Sequence, residues 1–149
     1  MIKIRSAKIE DIPQLVILLK ALFNIEADFE INPDKQSRGL KLLLNNDKAC
    51  VLVAELIDDN KILGMCSLQT FISTAEGGKV GFIEDLIVDA DYRHQGIATK
   101  LLTEIFLWAR QKDLTRIQLL ADKTNTSALA FYEQQHWQST QLICLKQSL

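Results

Sequence analysis

At residue 96 the hydrophobic period of the chain changes, and that change limits the folds open to it. Val80–Val88 is a β-rich apolar run. From Gly96 onward Ile97, Leu101, Ile105 and Trp108 recur at spacings of 4, 4 and 3, with Ala98, Leu102 and Ala109 beside them. Such spacing predicts a helix of about four turns with one apolar stripe. A short apolar run, Ile117–Ala121, follows. A strand, a helix and a second strand in this order form a crossover, which makes the two strands parallel if they are neighbours.

The rest of the chain reads as pairs of elements around that crossover. MIKIR (1–5) alternates as a short strand. Ser6–Pro13 is a helix entry, with Glu10 and Asp11 suited to the first turn and Pro13 tolerated there. Ile12, Leu15, Val16, Leu19, Leu22 and Phe23 keep helical spacing, so the helix should end near Phe23. Asn32-Pro33 is a turn signal, and a second helix is expected from Pro33 to about Asn46. Ala49–Ile57, Ile62–Ser73 and Val80–Val88 read as strands, separated by turns at 58–61 and Gly77-Gly78. Thr126–Gln135 reads as a helix and Gln138–Lys146 as a last strand. The expected order is β-α-α-β-β-β-α-β-α-β. This is an α/β (α+β) fold with a mixed, mostly antiparallel sheet and helices on both faces, in one domain over 1–149.

Composition removes several classes. The chain has 149 residues, is 48% hydrophobic and carries 17 basic against 19 acidic residues. It can build a core without staples, and it shows no basic surplus for nucleic acid. Cys50, Cys66 and Cys144 are odd in number and lie among apolar neighbours. That argues against a disulfide framework and fits packing in strands in a reducing compartment. His94 and His136 have no partner at metal-ligand spacing, so no metal is expected. MIKIRSAK has no apolar signal region, and no apolar run approaches the roughly 20 residues of a membrane span. The expectation is a cytoplasmic protein that binds no membrane.

The junction itself, RHQGIATKLL (93–102), carries chemistry. The first N–H groups of a helix have no partner inside it, and the helix dipole adds partial positive charge, so an anion fits there. Gly96 lets a ligand approach the backbone, Ala98 is small, Thr99 offers a hydroxyl and Arg93 offers a planar fork for phosphate oxygens. The pattern is neither GxxxxGK[ST] nor GxGxxG. Arg93-His94-Gln95-Gly96-Ile97-Ala98, preceded by FIEDLIVDADY (82–92) and followed by NTSALAFYEQQHW (125–137), resembles the GCN5-related N-acetyltransferase (GNAT) superfamily. The likeness spans essentially the whole chain. Two departures are Ala98, where the family often has Gly, and His136-Trp137, where it often has Gly-Phe. If His136 ends its helix in a left-handed conformation, it is a tolerated but less favourable choice than Gly.

The resemblance implies an acetyl-CoA-dependent N-acetyltransferase. It assigns Arg93, His94, Gln95, Gly96, Ile97, Ala98 and Thr99 to the pyrophosphate loop. Leu86, Ile87 and Val88 would pair with the pantetheine arm, and Asn125 and Tyr132 would lie beside the cofactor. Tyr132 is the general acid by the same likeness. Glu84 is the candidate base, since a carboxylate in an apolar strand needs a task or a partner; Asp85 is given the structural role. Period 2 puts Phe82, Glu84, Leu86 and Val88 on one face and Ile83, Asp85 and Ile87 on the other. The acceptor is expected to be a small cationic amine (polyamine, diamine or amino acid), met by Glu84 and by Glu26 and Asp28 in the acidic connection that also carries Glu30 and Asp34. A protein or peptide acetyltransferase and a non-catalytic acyl-CoA sensor or interaction module are the alternatives. A homodimer is expected from the family alone.

Overall fold

The computed structural model describes residues 1–26 and 28–149. They form two compact units, Met1–Gln118 and Leu119–Leu149. Strands β1 (Ile2–Ser6), β2 (Ala49–Leu56), β3 (Lys61–Ser73), β4 (Gly78–Val88) and β5 (Ile117–Leu119) lie in the order β1-β2-β3-β4-β5. The first three pairings are antiparallel, and two of them, β2-β3 and β3-β4, are the meander expected from the two hairpin turns. Thr115 N–H donates to Lys79 O at 3.1 Å and Gly81 N–H to Arg116 O at 2.8 Å. These bonds advance in the same direction along both segments, as in a parallel pair.

Helices cover both faces of the sheet. Helix α1 (Ile12–Ile25) and α2 (Pro33–Leu44) bury Leu15, Leu18, Leu19, Leu22 and Leu40 against Val51, Val53, Met65 and Ile87. Leu52 alternates with Val51 and Val53, so it faces the other way, and there it meets Leu107 and Trp108 of α3 (Ile97–Gln111) across a cleft. Gly64 is where β3 passes closest: an added Cβ would stand 2.9 Å from Ile87 O and 3.4 Å from Leu101 Cδ1. The edge strand is fastened by Arg5. Its guanidinium donates to both Asp11 oxygens, at 2.7 and 3.0 Å, and both Glu55 oxygens, at 2.8 and 2.9 Å. These bonds hold the Asp11 and Glu55 carboxyls below their usual range and the guanidinium above its own.

Most boundaries agree with the sequence reading to within a few residues. Two differences have clear causes. Helix α1 runs two residues past Phe23, because nothing between Phe23 and Glu26 breaks it. Gln138–Leu149 holds no strand; Leu142, Ile143, Leu145 and Cys144 are exposed there. The expected last strand and the expected strand packing of Cys144 are therefore corrected. An apolar, β-capable stretch becomes a strand only on a partner ladder, and among the described residues this one has no strand pairing. Cys50 and Cys66 do pack in strands, and burial pushes the Cys50 thiol up to about 11 and the Cys66 thiol further up. Among the described residues, no helix is long and apolar enough to cross a membrane.

Candidate acetyl-CoA and acceptor site

In the first unit, β4 ends directly in the loop that starts α3. Asp89 begins the turn at Ala90–Tyr92: its side chain accepts from Asp91 N–H at 3.0 Å and pairs with Lys61 at 3.2 Å. The Asp91 amide, and then Lys61, hold the Asp89 carboxyl below its usual range. Lys61 also lies 4.6 Å above the Tyr92 ring. Arg93 donates from Nε to Val88 O at 3.1 Å, which folds the loop back on the strand. That bond uses one of the five guanidinium donors. His94 and Gly96 both take left-handed backbone, with φ of 60° and 76°. A non-glycine residue held there is strained by about 1 kcal/mol, a feature common at ligand-binding loops.

Gly96 is the N-cap of α3, so no side-chain oxygen caps the helix, and no acidic residue stands in its first turn. A Cβ at Gly96 would meet nothing within 4 Å. An open approach, uncapped N–H groups and an exposed Arg93 fit a pyrophosphate. Ile97 is buried at 2% exposure, so it brings a backbone N–H to this place rather than a side chain. Ala98 and Thr99 are half-buried beside it, and His94 and Gln95 are exposed.

The strand before the loop departs from strict alternation. Ser67 faces Asp85, but Leu68 faces Ile83, so Glu84 is the extra residue of a β-bulge. The period-2 assignment is corrected here: Ile83 and Asp85 fall on opposite faces. Glu84 is exposed, whereas Asp85 is buried and accepts from Ser67 Oγ at 2.8 Å. Burial raises the Asp85 carboxyl to about 6, against the lowering effect of the Ser67 hydroxyl. Beyond the bulge Leu86, Ile87 and Val88 pair with Cys66, Met65 and Gly64. The Ile87 and Val88 side chains are buried, and Val88 O accepts from Arg93 Nε. Sequence reasoning missed Ser67, whose signal was a hydroxyl within the apolar run Ile62–Leu68.

In the second unit, α4 (Thr126–Gln134) is capped by Asn125, whose side chain accepts from Ala128 N–H at 3.1 Å. Its end is a Schellman motif. His136 N–H donates to Glu133 O and Trp137 N–H to Tyr132 O, each at 3.0 Å, with His136 left-handed at φ 66°. The Trp137 and Tyr132 rings meet edge-on at 5.7 Å, and Phe131 meets Tyr132 at 5.4 Å. These contacts hold the Tyr132 ring in place.

The acidic connection lies between α1 and α2. Asp28, Glu30 and Asp34 are exposed and Glu26 is half-buried. Phe29 turns back onto Phe23, with ring centroids 5.3 Å apart. A cleft of about 300 Å³ beside β1 and Trp108 is lined by none of the residues named for the reaction. Among the described residues, no group of three or more His, Cys, Asp or Glu could hold a metal ion.

Residues 19–137 match the model of the acetyltransferase (GNAT) family, and the chain belongs to that family. An uncharacterized N-acetyltransferase of Archaeoglobus fulgidus is 29% identical over 135 residues, covering 89% of this chain and 90% of the relative. An aminoglycoside acetyltransferase from an uncultured soil metagenomic sample, meta-AAC0020, solved with sisomicin, is similar at 29% identity and a TM-score of 0.81. It covers 99% of this chain and 96% of that one. The aminoglycoside N-acetyltransferase AAC(6')-Iy, solved with CoA, shares the fold with a TM-score of 0.85 at 16% identity, over 99% of this chain and 95% of its own. The protein is thus a GNAT N-acetyltransferase with a mixed α/β fold.

Proposed function

We propose that this enzyme moves the acetyl group of acetyl-CoA to a primary amine of a small cationic acceptor, such as a polyamine, a diamine or an amino acid, by direct attack in a ternary complex. The observation that carries the acceptor class is the row of exposed carboxylates Asp28, Glu30 and Asp34, with Glu26 at its start. Such a row raises the local concentration of a cation. Glu26 and Asp28 are the proposed acceptor contacts. The similarity to an aminoglycoside acetyltransferase solved with sisomicin supports a second acceptor class, the aminoglycosides.

Acetyl-CoA, when bound, supplies an activated acyl carbonyl and a thiol leaving group. Arg93 and the N–H groups at Gly96–Thr99 hold its pyrophosphate, with His94 and Gln95 shaping the loop. Backbone groups of Leu86, Ile87 and Val88 align its arm, and Asn125 lies beside it. The exposed Glu84 carboxylate takes a proton from the acceptor ammonium, directly or through water. The Tyr132 hydroxyl gives its proton to the departing sulfur. This reading treats 1–149 as one catalytic domain working in the cytoplasm. By its family resemblance the enzyme works as a homodimer, and light scattering at twice the monomer mass is the expected result.

The test mixes the purified protein with acetyl-CoA and polyamines, diamines, basic amino acids, an aminoglycoside or short peptides, and follows free CoA thiol. Release driven by small cationic amines is expected, with Glu84→Gln and Tyr132→Phe lowering kcat by about 10²-fold. Release confined to peptides would overturn the small-acceptor reading. Full turnover of either variant would remove that residue from its role.

A further inference from the structure

We propose that Ser67 and Asp85 form a register lock that holds the bulge of β4 in place and thereby positions Glu84 and the backbone of Leu86–Val88. The inference rests on the functional reading above for the tasks of those residues, but the lock itself rests on geometry.

Two ladders compete between β3 and β4. From Leu68 to Ser73 the pairing follows one register, with Leu68 opposite Ile83 and Ser73 opposite Gly78. Continued without a bulge, that register would set Ser67 opposite Glu84, Cys66 opposite Asp85 and Met65 opposite Leu86. The observed register is displaced by one residue from Ser67 on: Ser67 faces Asp85, Cys66 faces Leu86 and Met65 faces Ile87. A slip of one residue sends each side chain after Ile83 to the other face.

Hydrophobic pattern alone separates the two ladders poorly. Leu86, Ile87 and Val88 are all apolar, so either register offers an apolar residue opposite Met65. The polar groups discriminate. In the observed ladder Asp85 is buried at 8% exposure and Ser67 at 0%, and the one satisfies the other at 2.8 Å. In the slipped ladder Asp85 would stand opposite Cys66, which is buried at 0% exposure and offers only a weak S–H donor. Glu84 would be drawn in opposite Ser67. A buried carboxylate without a good partner is costly, so the pair stabilises one register and penalises the other. The bond sits at the step itself, on the first residue pair beyond the bulge.

Ser67 and Asp85 are thus positioning residues that act through Glu84 and the strand backbone. Three variants test this: Ser67→Ala, which removes the donor; Asp85→Asn, which keeps an acceptor oxygen for the hydroxyl; and Ser67→Cys, which keeps shape with a weak donor. NMR contacts between β3 and β4 read the register, and steady-state kinetics are taken well below the melting temperature. In Ser67→Ala, contacts of Met65 with Leu86 should appear beside those with Ile87. The KM for acetyl-CoA should rise and kcat should fall by about 10²-fold, the scale of a misplaced reacting group. Asp85→Asn should keep the observed contacts and most of kcat. If Ser67→Ala does not fold, Ser67→Cys carries the test and should show the same changes in weaker form. Unchanged contacts and kinetics in the folded Ser67 variant overturn the proposal, and so does a slip in Asp85→Asn as large as that in Ser67→Ala. A fully active Glu84→Gln would end the base reading while leaving the NMR register change intact, so the two failures are distinguishable.

Discussion

Gly96 shows how one residue serves the fold and the ligand together. Its φ of 76° belongs to the left-handed region, and its missing Cβ leaves open space where a ligand would come. Gly96→Ala therefore meets no clash, and its cost is backbone strain of about 1 kcal/mol. We expect a denaturant melt to show a loss of that size. The KM for acetyl-CoA should rise at the same time, because the new methyl group stands over the proposed pyrophosphate site. A stability loss with an unchanged KM would mean that the anion is not held at this helix start. Sequence could pick out Gly96 because glycine before a helix repeat is a local signal. It could not pick out the partners of Asp85 and Arg5, because Ser67 and Glu55 lie 18 and 50 residues away.

The elements divide in the same way. Helical spacing located α1 and α3, and apolar runs between turn signals located β2, β3 and β4, since each carries its pattern in its own residues. The bulge at Glu84 was hidden because it is a property of two strands: only the pairing of Ser67 with Asp85 and Leu68 with Ile83 reveals it. The absent strand over Gln138–Lys146 is a similar case, a segment with strand composition and no ladder. The end of α4 was legible, since His136 occupies the position where glycine is usual, and it is left-handed as the motif requires. A histidine there carries a conformational cost that glycine lacks. His136→Gly should therefore stabilise the chain by about 0.5–1 kcal/mol. Thermal unfolding read by the near-ultraviolet signal of the Tyr132–Trp137 pair checks it. A lower melting temperature would show that the imidazole makes a contact worth more than the strain.

For the whole molecule, the charges set opposing trends in stability against pH. Asp11, Glu55 and Asp89 have carboxyls lowered by Arg5, by backbone N–H groups and by Lys61. Their stabilisation is complete above the ordinary carboxylate range and is lost as pH falls through their lowered values. Asp85 acts in the other sense. Its folded value, about 6, lies above its unfolded value near 3.8, so the folded state holds the proton more tightly. Its favourable contribution is full below about pH 3.8 and is lost as pH rises to about 6, by up to about 3 kcal/mol. Stability should thus rise as acid is removed up to about pH 4, then decline towards pH 6 and level off. Urea melts from pH 3 to 8 trace the profile, and Asp85→Asn should abolish the decline between pH 4 and 6 while keeping the acid limb. A wild-type profile that is flat over that window would mean Asp85 is ionised in the folded chain well below pH 6. In that event the Ser67 hydroxyl holds a charge that burial alone would keep neutral.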